Sequence, residues 1–137
     1  MKQVSVVALA LIISGCGNSE LEGLVESYYE NGQLMSKTFY KEGSANGPAE
    51  TYHQNGQLRS KGTFIMGRAH GTEESYYESG QLWSKSTYKD GKRHGPDEFF
   101  DIYSKLKWQG SYDMGKECGE WFDDGETKTY PPCPDFE

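Results

Sequence analysis

The chain repeats itself. NGQL stands at residues 31–34 and again at 55–58, SGQL follows at 79–82, and each copy has tyrosines before it and Ser-Lys behind it. Aligned on a period of 24 residues, Tyr28, Tyr52, Tyr76 and Phe100 form one column and Leu34, Leu58, Leu82 and Leu106 a second. Tyr40, Phe64, Tyr88 and Tyr112 form a third, followed by glycines at 43, 67, 91 and 115 and at 47, 71, 95 and 119. Four copies are clear, although Ser104-Lys105 replaces Gly-Gln in the fourth, and a fifth, EWFDDGETKTY, is truncated. A fixed period of this length marks stacked supersecondary units, none of which buries an apolar face alone.

Asn-Gly between runs of Tyr, Thr, Phe and Leu is a strong hairpin signal, and a type I′ turn at Asn31-Gly32 is the expected tip. Counting outward from that turn sets Glu26 opposite Lys37, Glu50 opposite Lys61 and Glu74 opposite Lys85. The same count places Gly23, Gly47, Gly71 and Gly95 opposite Tyr40, Phe64, Tyr88 and Tyr112, where a ring covers a strand glycine. Opposite charges and ring-on-glycine pairs arising together from one register make the register specific. An aromatic content of 14% with 17 glycines favours strands and turns. The expected fold is therefore all-β: an elongated antiparallel meander of stacked hairpins in a single-layer sheet, capped at its C-terminal end.

Strand alternation sorts the two faces. Leu34, Ser36, Thr38 and Tyr40 share one side with Tyr29, and this side is expected to be buried. The other carries Glu26, Glu30, Gln33 and Lys37, crossed by a stripe that pairs Tyr28 with Met35, Tyr52 with Arg59, Tyr76 with Trp83 and Phe100 with Lys107. Tyr28, Tyr52, Arg59, Tyr76, Trp83 and Phe100 are thus the candidate binding face, because Tyr, Trp and Arg dominate binding hot spots. The competing reading is a structural ring ladder, or the lining of a homodimer.

Residues 1–15 have the layout of an export signal: one positive charge at Lys2, an apolar run over 4–13 too short to span a bilayer, then small residues before a cysteine. ISGC resembles the bacterial lipobox, which implies a lipidated Cys16, with residues 16–23 as tether, repeats over 24–119 and a truncated repeat and cap over 120–137. Stable anchoring needs more than one acyl chain, each buried methylene adding about 0.8 kcal/mol. By the same resemblance Gly17 implies the outer membrane, at its periplasmic face, if the cell has one. From residue 16 onward there are 13 basic and 21 acidic side chains, eight of the acids lying in 113–137. Such a balance excludes nucleic acid as an electrostatic partner. In an exported chain Cys118 and Cys133 are expected to form a disulfide that pins the cap, worth about 3 kcal/mol for a 15-residue loop.

Aromatic, NGQL, Ser-Lys, aromatic and two spaced glycines together resemble the MORN-repeat variant family of bacterial proteins, many labelled antitoxins of the YwqK type. The resemblance covers residues 24 to about 119 and implies a hairpin array acting as a binding or scaffolding surface. The label implies a toxin as partner.

Catalytic motifs are missing from the sequence: no Gly-rich phosphate loop, no G-x-S-x-G and no H-E-x-x-H. Asn46, His70, His94 and Cys118 share one column, but units about 10 Å apart cannot bring three such side chains to zinc distances of about 2.0–2.3 Å. They read as turn residues, and no metal or cofactor is expected. The glutamate columns read as a solvated ladder, and Asp123, Asp124 and Glu126 as an acidic turn without calcium-loop spacing. Three function classes follow: a membrane-anchored, non-enzymatic interaction or scaffolding lipoprotein of the cell envelope; an antitoxin or immunity lipoprotein that neutralises a toxin; and an enzyme or glycan binder using the exposed aromatics and carboxylates. The first is favoured.

Overall fold

A computed structural model describes residues 21–136 of the chain. The expected export signal, Cys16 and most of the expected tether lie outside the described residues. Eleven strands follow in order: β1 (Gly23–Tyr28), β2 (Leu34–Lys41), β3 (Ser44–Tyr52), β4 (Leu58–Ile65), β5 (Arg68–Ala69), β6 (Gly71–Tyr76), β7 (Leu82–Lys89), β8 (Lys92–Phe100), β9 (Leu106–Asp113), β10 (Lys116–Asp123) and β11 (Glu126–Thr129). They form one open antiparallel sheet in chain order, the two-residue β5 pairing with β4 beside β6. The sheet starts at Gly23, and β10 runs through the expected boundary at 119/120. Leu21 and Glu22, assigned to the tether, are already fastened to the sheet: Leu21 O accepts from Gly43 N–H at 3.1 Å and Glu22 Oε2 from Glu42 N–H at 3.0 Å.

The strand bodies keep the expected register, with Glu26 opposite Lys37, Glu50 opposite Lys61 and Glu74 opposite Lys85, and Gly23, Gly47, Gly71 and Gly95 opposite their rings. The turns differ. Type I′ geometry, with left-handed backbone at both central residues, belongs to the other edge of the sheet, at Glu42-Gly43, Met66-Gly67, Asp90-Gly91 and Met114-Gly115, and recurs on the NGQL edge at the β10–β11 turn, Asp124-Gly125. At the NGQL tips only Gly32, Gly56 and Gly80 are left-handed. Gly32 N–H donates to Tyr29 O at 2.9 Å and Tyr29 N–H to Gln33 O at 2.8 Å, which makes a three-residue loop with a glycine bulge. Asparagine is there for its side chain. Asn31 Oδ1 accepts from Gln33 N–H at 3.0 Å while Nδ2 donates to Gln54 O of the next repeat at 3.3 Å, and Asn55 does the same toward Gln57 and Glu78.

The bulge moves side chains between faces. Tyr28, Tyr52, Tyr76 and Phe100 stand opposite Leu34, Leu58, Leu82 and Leu106, leaving Met35, Arg59, Trp83 and Lys107 as the extra residues. The expected pairs Tyr28/Met35, Tyr52/Arg59, Tyr76/Trp83 and Phe100/Lys107 do not form, and Leu34 lies with Tyr28 rather than with Tyr29. Trp83 packs instead on the opposite side, against Tyr77 and Phe99, at ring separations of 6.3 and 6.0 Å. One face, here called the tyrosine face, carries Tyr28, Tyr52, Tyr76 and the Glu/Lys row. The other, the serine face, carries Ser27, Ser36, Thr51, Ser60, Ser75 and Ser84 with the bulge residues.

The serine face holds the buried residues Ser27, Ser86, Asp97 and Trp121. Trp121, 8% exposed, stacks on Trp108 at 5.7 Å, meets Tyr112 edge-on at 5.0 Å and lies directly over Gly110, where a Cβ would fall 2.1 Å from the indole. Cys118 and Cys133 are joined as a disulfide, and the tail reaches back so that Phe136 meets His94 edge-on at 5.1 Å. Both edges are stitched between repeats. Tyr29, His53 and Tyr77 donate to the carbonyls of Tyr52, Tyr76 and Phe100 at 2.6, 2.9 and 2.9 Å, and Gly67, Gly91 and Gly115 donate to those of Ala45, Ala69 and Arg93.

Candidate functional site

On the tyrosine face the charged row Glu26, Lys37, Glu50, Lys61, Glu74 and Lys85 places Glu50 and Glu74 each between two lysines. The bonding falls across repeat boundaries: Lys37 bridges Glu50 and Lys61 bridges Glu74, both at 2.8 Å. Tyr52 and Tyr76 donate their hydroxyls to the same carboxylates, and each lysine lies over the ring, at 5.9 and 6.0 Å from its centre. The lysine bonds, followed by the phenol bonds, hold both glutamates below the usual carboxylate range. Tyr28 donates to Glu26 at 2.6 Å without a bridging lysine among the described residues. Phe100 has no hydroxyl to give. Four of the six residues of the expected binding stripe, Tyr28, Tyr52, Tyr76 and Phe100, thus stay on this face; two of them, Tyr52 and Tyr76, serve intramolecular triads, and Tyr28 an intramolecular pair.

Arg59 and Trp83 line an open groove of about 680 Å³ on the serine face, together with Thr51, His53, Glu73 and Tyr77. Trp83 is 44% exposed, and Arg59 is exposed with no ion pair among the described residues. Of the other two bulge side chains, Lys107 is bonded to Asp124 and Met35 is apolar. The groove floor is rigid, since the His53 and Tyr77 side chains are fixed to backbone carbonyls and Thr51 bonds Ser60 at 2.7 Å.

Two carboxylates missed in the sequence reading share this face. Asp97 is 1% exposed; Oδ1 accepts from Ser86 at 2.7 Å, while Oδ2 lies 3.1 Å from Arg93 Nε without hydrogen-bond alignment. Burial pushes its pKa up, against the Ser86 bond and the Arg93 charge, and burial likewise raises Glu73, opposed by Arg93. Arg93 stacks on Tyr112, 5.3 Å from the ring centre. Parity was the available signal: Glu73 and Asp97 fall one period apart in the serine-face column that also holds Ala49 and Trp121.

The Asn46, His70, His94, Cys118 column lies where β3, β5/β6, β8 and β10 bulge, rather than in a turn. Asn46 Oδ1 and His94 Nδ1 accept backbone N–H groups from Met66 and Met114 at 3.2 and 3.4 Å. Among the described residues no three His, Cys, Asp or Glu side chains converge on a metal position.

The family model described as MORN repeat variant matches the chain three times in tandem, over residues 21–42, 45–66 and 69–90. Each match spans a hairpin and ends at the first central residue of the turn after it. The fourth hairpin, β8–β9, keeps the same register beyond the matched segments. No curated protein matches the chain.

Proposed function

We propose that this chain of MORN-type repeats is a non-enzymatic interaction module, that its docking site is the Arg59–Trp83 groove, and that a lipid on Cys16 holds it in the cell envelope. One observation carries the reading: successive bulges bring an unpaired guanidinium and a half-exposed indole to the same side, over a floor already fixed by hydrogen bonds. Such a site loses little side-chain entropy on binding and offers the two residue types that most often dominate interfaces. The partner is a protein; the array binds it as a rigid surface.

Capture of partners from the cell envelope tests the reading, with the full chain beside Arg59→Ala and Trp83→Ala variants whose folding is checked by circular dichroism. Each substitution should weaken capture about tenfold or more while leaving the fold intact. Undiminished capture by the double variant would remove the groove from the proposal. A single toxin as the captured protein would turn the module into an antitoxin or immunity lipoprotein, and recovery of a second copy alone would make the groove a homodimer contact. A Cys16→Ala variant should leave the membrane fraction.

A further inference from the structure

The Tyr-Glu-Lys triads are built across repeat boundaries, and the first repeat holds two thirds of one. Tyr52 and Glu50 belong to β3 and take Lys37 from β2; Tyr76 and Glu74 belong to β6 and take Lys61 from β4. On β1, Tyr28 and Glu26 are already bonded at 2.6 Å, but Lys37, opposite Glu26 in register, is engaged with Glu50. Among the described residues no cation bridges Glu26 and no strand pairs with the outer edge of β1.

What fits that edge can be read from the repeats themselves. The equivalent edges of β3, β6 and β8 receive β2, β4 and β7, whose sequences LMSKTFYK, LRSKGTFI and LWSKSTYK share Leu-x-Ser-Lys. In each case serine lies opposite Thr51, Ser75 or Phe99, and lysine opposite Glu50, Glu74 or Glu98. Transferred to β1, this register sets a serine against Ser27 and a lysine against Glu26. The sequence one period upstream carries Ile13 at the lysine position. A second copy offering its own β1 would oppose Glu22 and Glu26 to the same acids, which is repulsive. The far edge strand, β11, has four residues and is followed in the chain by Pro131, Pro132 and Pro134, which have no N–H to offer a neighbouring strand.

We propose that β1 is a docking edge for an extended segment of a different protein, which adds as an antiparallel strand of Leu-x-Ser-Lys type and places its lysine between Glu26 and Tyr28. Main-chain bonds supply the affinity and the lysine the register. This edge is separate from the groove and can be tested apart from it. The probe is a fluorescein-labelled peptide with the sequence of residues 82–89, added to the full chain and followed by anisotropy and by hydrogen exchange of the β1 amides. Saturable binding that slows β1 exchange, falls at least about fivefold with Glu26→Lys and returns when the peptide lysine at position 85 becomes glutamate supports the proposal. Binding indifferent to both charge changes, or none at all, overturns it. So does strong protection of the β1 amides before peptide is added, since the edge would then be covered by the protein itself.

Discussion

On the tyrosine face, Glu50 and Glu74 are held below the usual carboxylate range by lysine and phenol hydrogen bonds; on the serine face, one residue of parity away, burial pushes Glu73 and Asp97 above it. Glu73 and Glu74 are adjacent in the chain, so neither composition nor local sequence separates them. The sheet does, by giving one face to water and packing rings and hydroxyls over the other. A single-layer sheet can therefore keep a polar ladder and a partly apolar, charge-burying surface a few ångströms apart.

The comparison breaks most visibly if the serine face is not the stabilising one. Trp121→Ala removes the ring that covers Gly110 and stacks on Trp108, and should cost about 3–5 kcal/mol in urea denaturation. A loss below about 1 kcal/mol would mean that the face is not a core. Replacing Cys118 and Cys133 with serine frees the tail that carries Tyr130 against Trp121 and should cost about 2–3 kcal/mol, read as a lower midpoint that reductant no longer shifts.

Acid sharpens the contrast. Asp97 and Glu73 have raised folded pKa values, so on lowering the pH from neutrality to about 4 the folded state takes up protons first and these groups add stability. Glu50 and Glu74 have lowered values, so their contribution is present above about 4.3 and is lost as the pH falls through the folded values below it. Asp97→Asn should flatten the first limb, and the pair Glu50→Gln with Glu74→Gln the second, in denaturation curves from pH 7 to 3. An unchanged first limb in Asp97→Asn would show that the faces do not differ in this way. Smallest of all, Lys61→Ala removes a solvent-exposed bridge and should lower the urea midpoint only slightly, a difference that shrinks in high salt.

The all-β class, the hairpin order and the cross-strand register were readable because each rests on a pattern repeated every 24 residues. The loop geometry was not, for a definite reason: a two-residue turn, and a three-residue loop followed by one extra residue in the returning strand, bring the same residues opposite each other further down the hairpin. Glu26 meets Lys37 under either. Only the residues between tip and bulge distinguish them, and there the expectation put Arg59 and Trp83 on the wrong face. Asn31 misled for a related reason, since its preference for left-handed backbone and its ability to bond neighbouring repeats with its amide leave the same letter in the sequence. Asp97 was passed over because its column, Ala49, Glu73, Asp97 and Trp121, keeps no one residue type from repeat to repeat.

The sheet order follows the chain order, with no crossover. Each strand thus holds on through its immediate neighbours, and any one hairpin can nucleate folding while the rest zip on beside it. The same connectivity fixes the response to force. Tension applied between the two ends of the array falls on one edge strand at a time, so that the sheet peels hairpin by hairpin at low load and can yield by one repeat without surrendering the others.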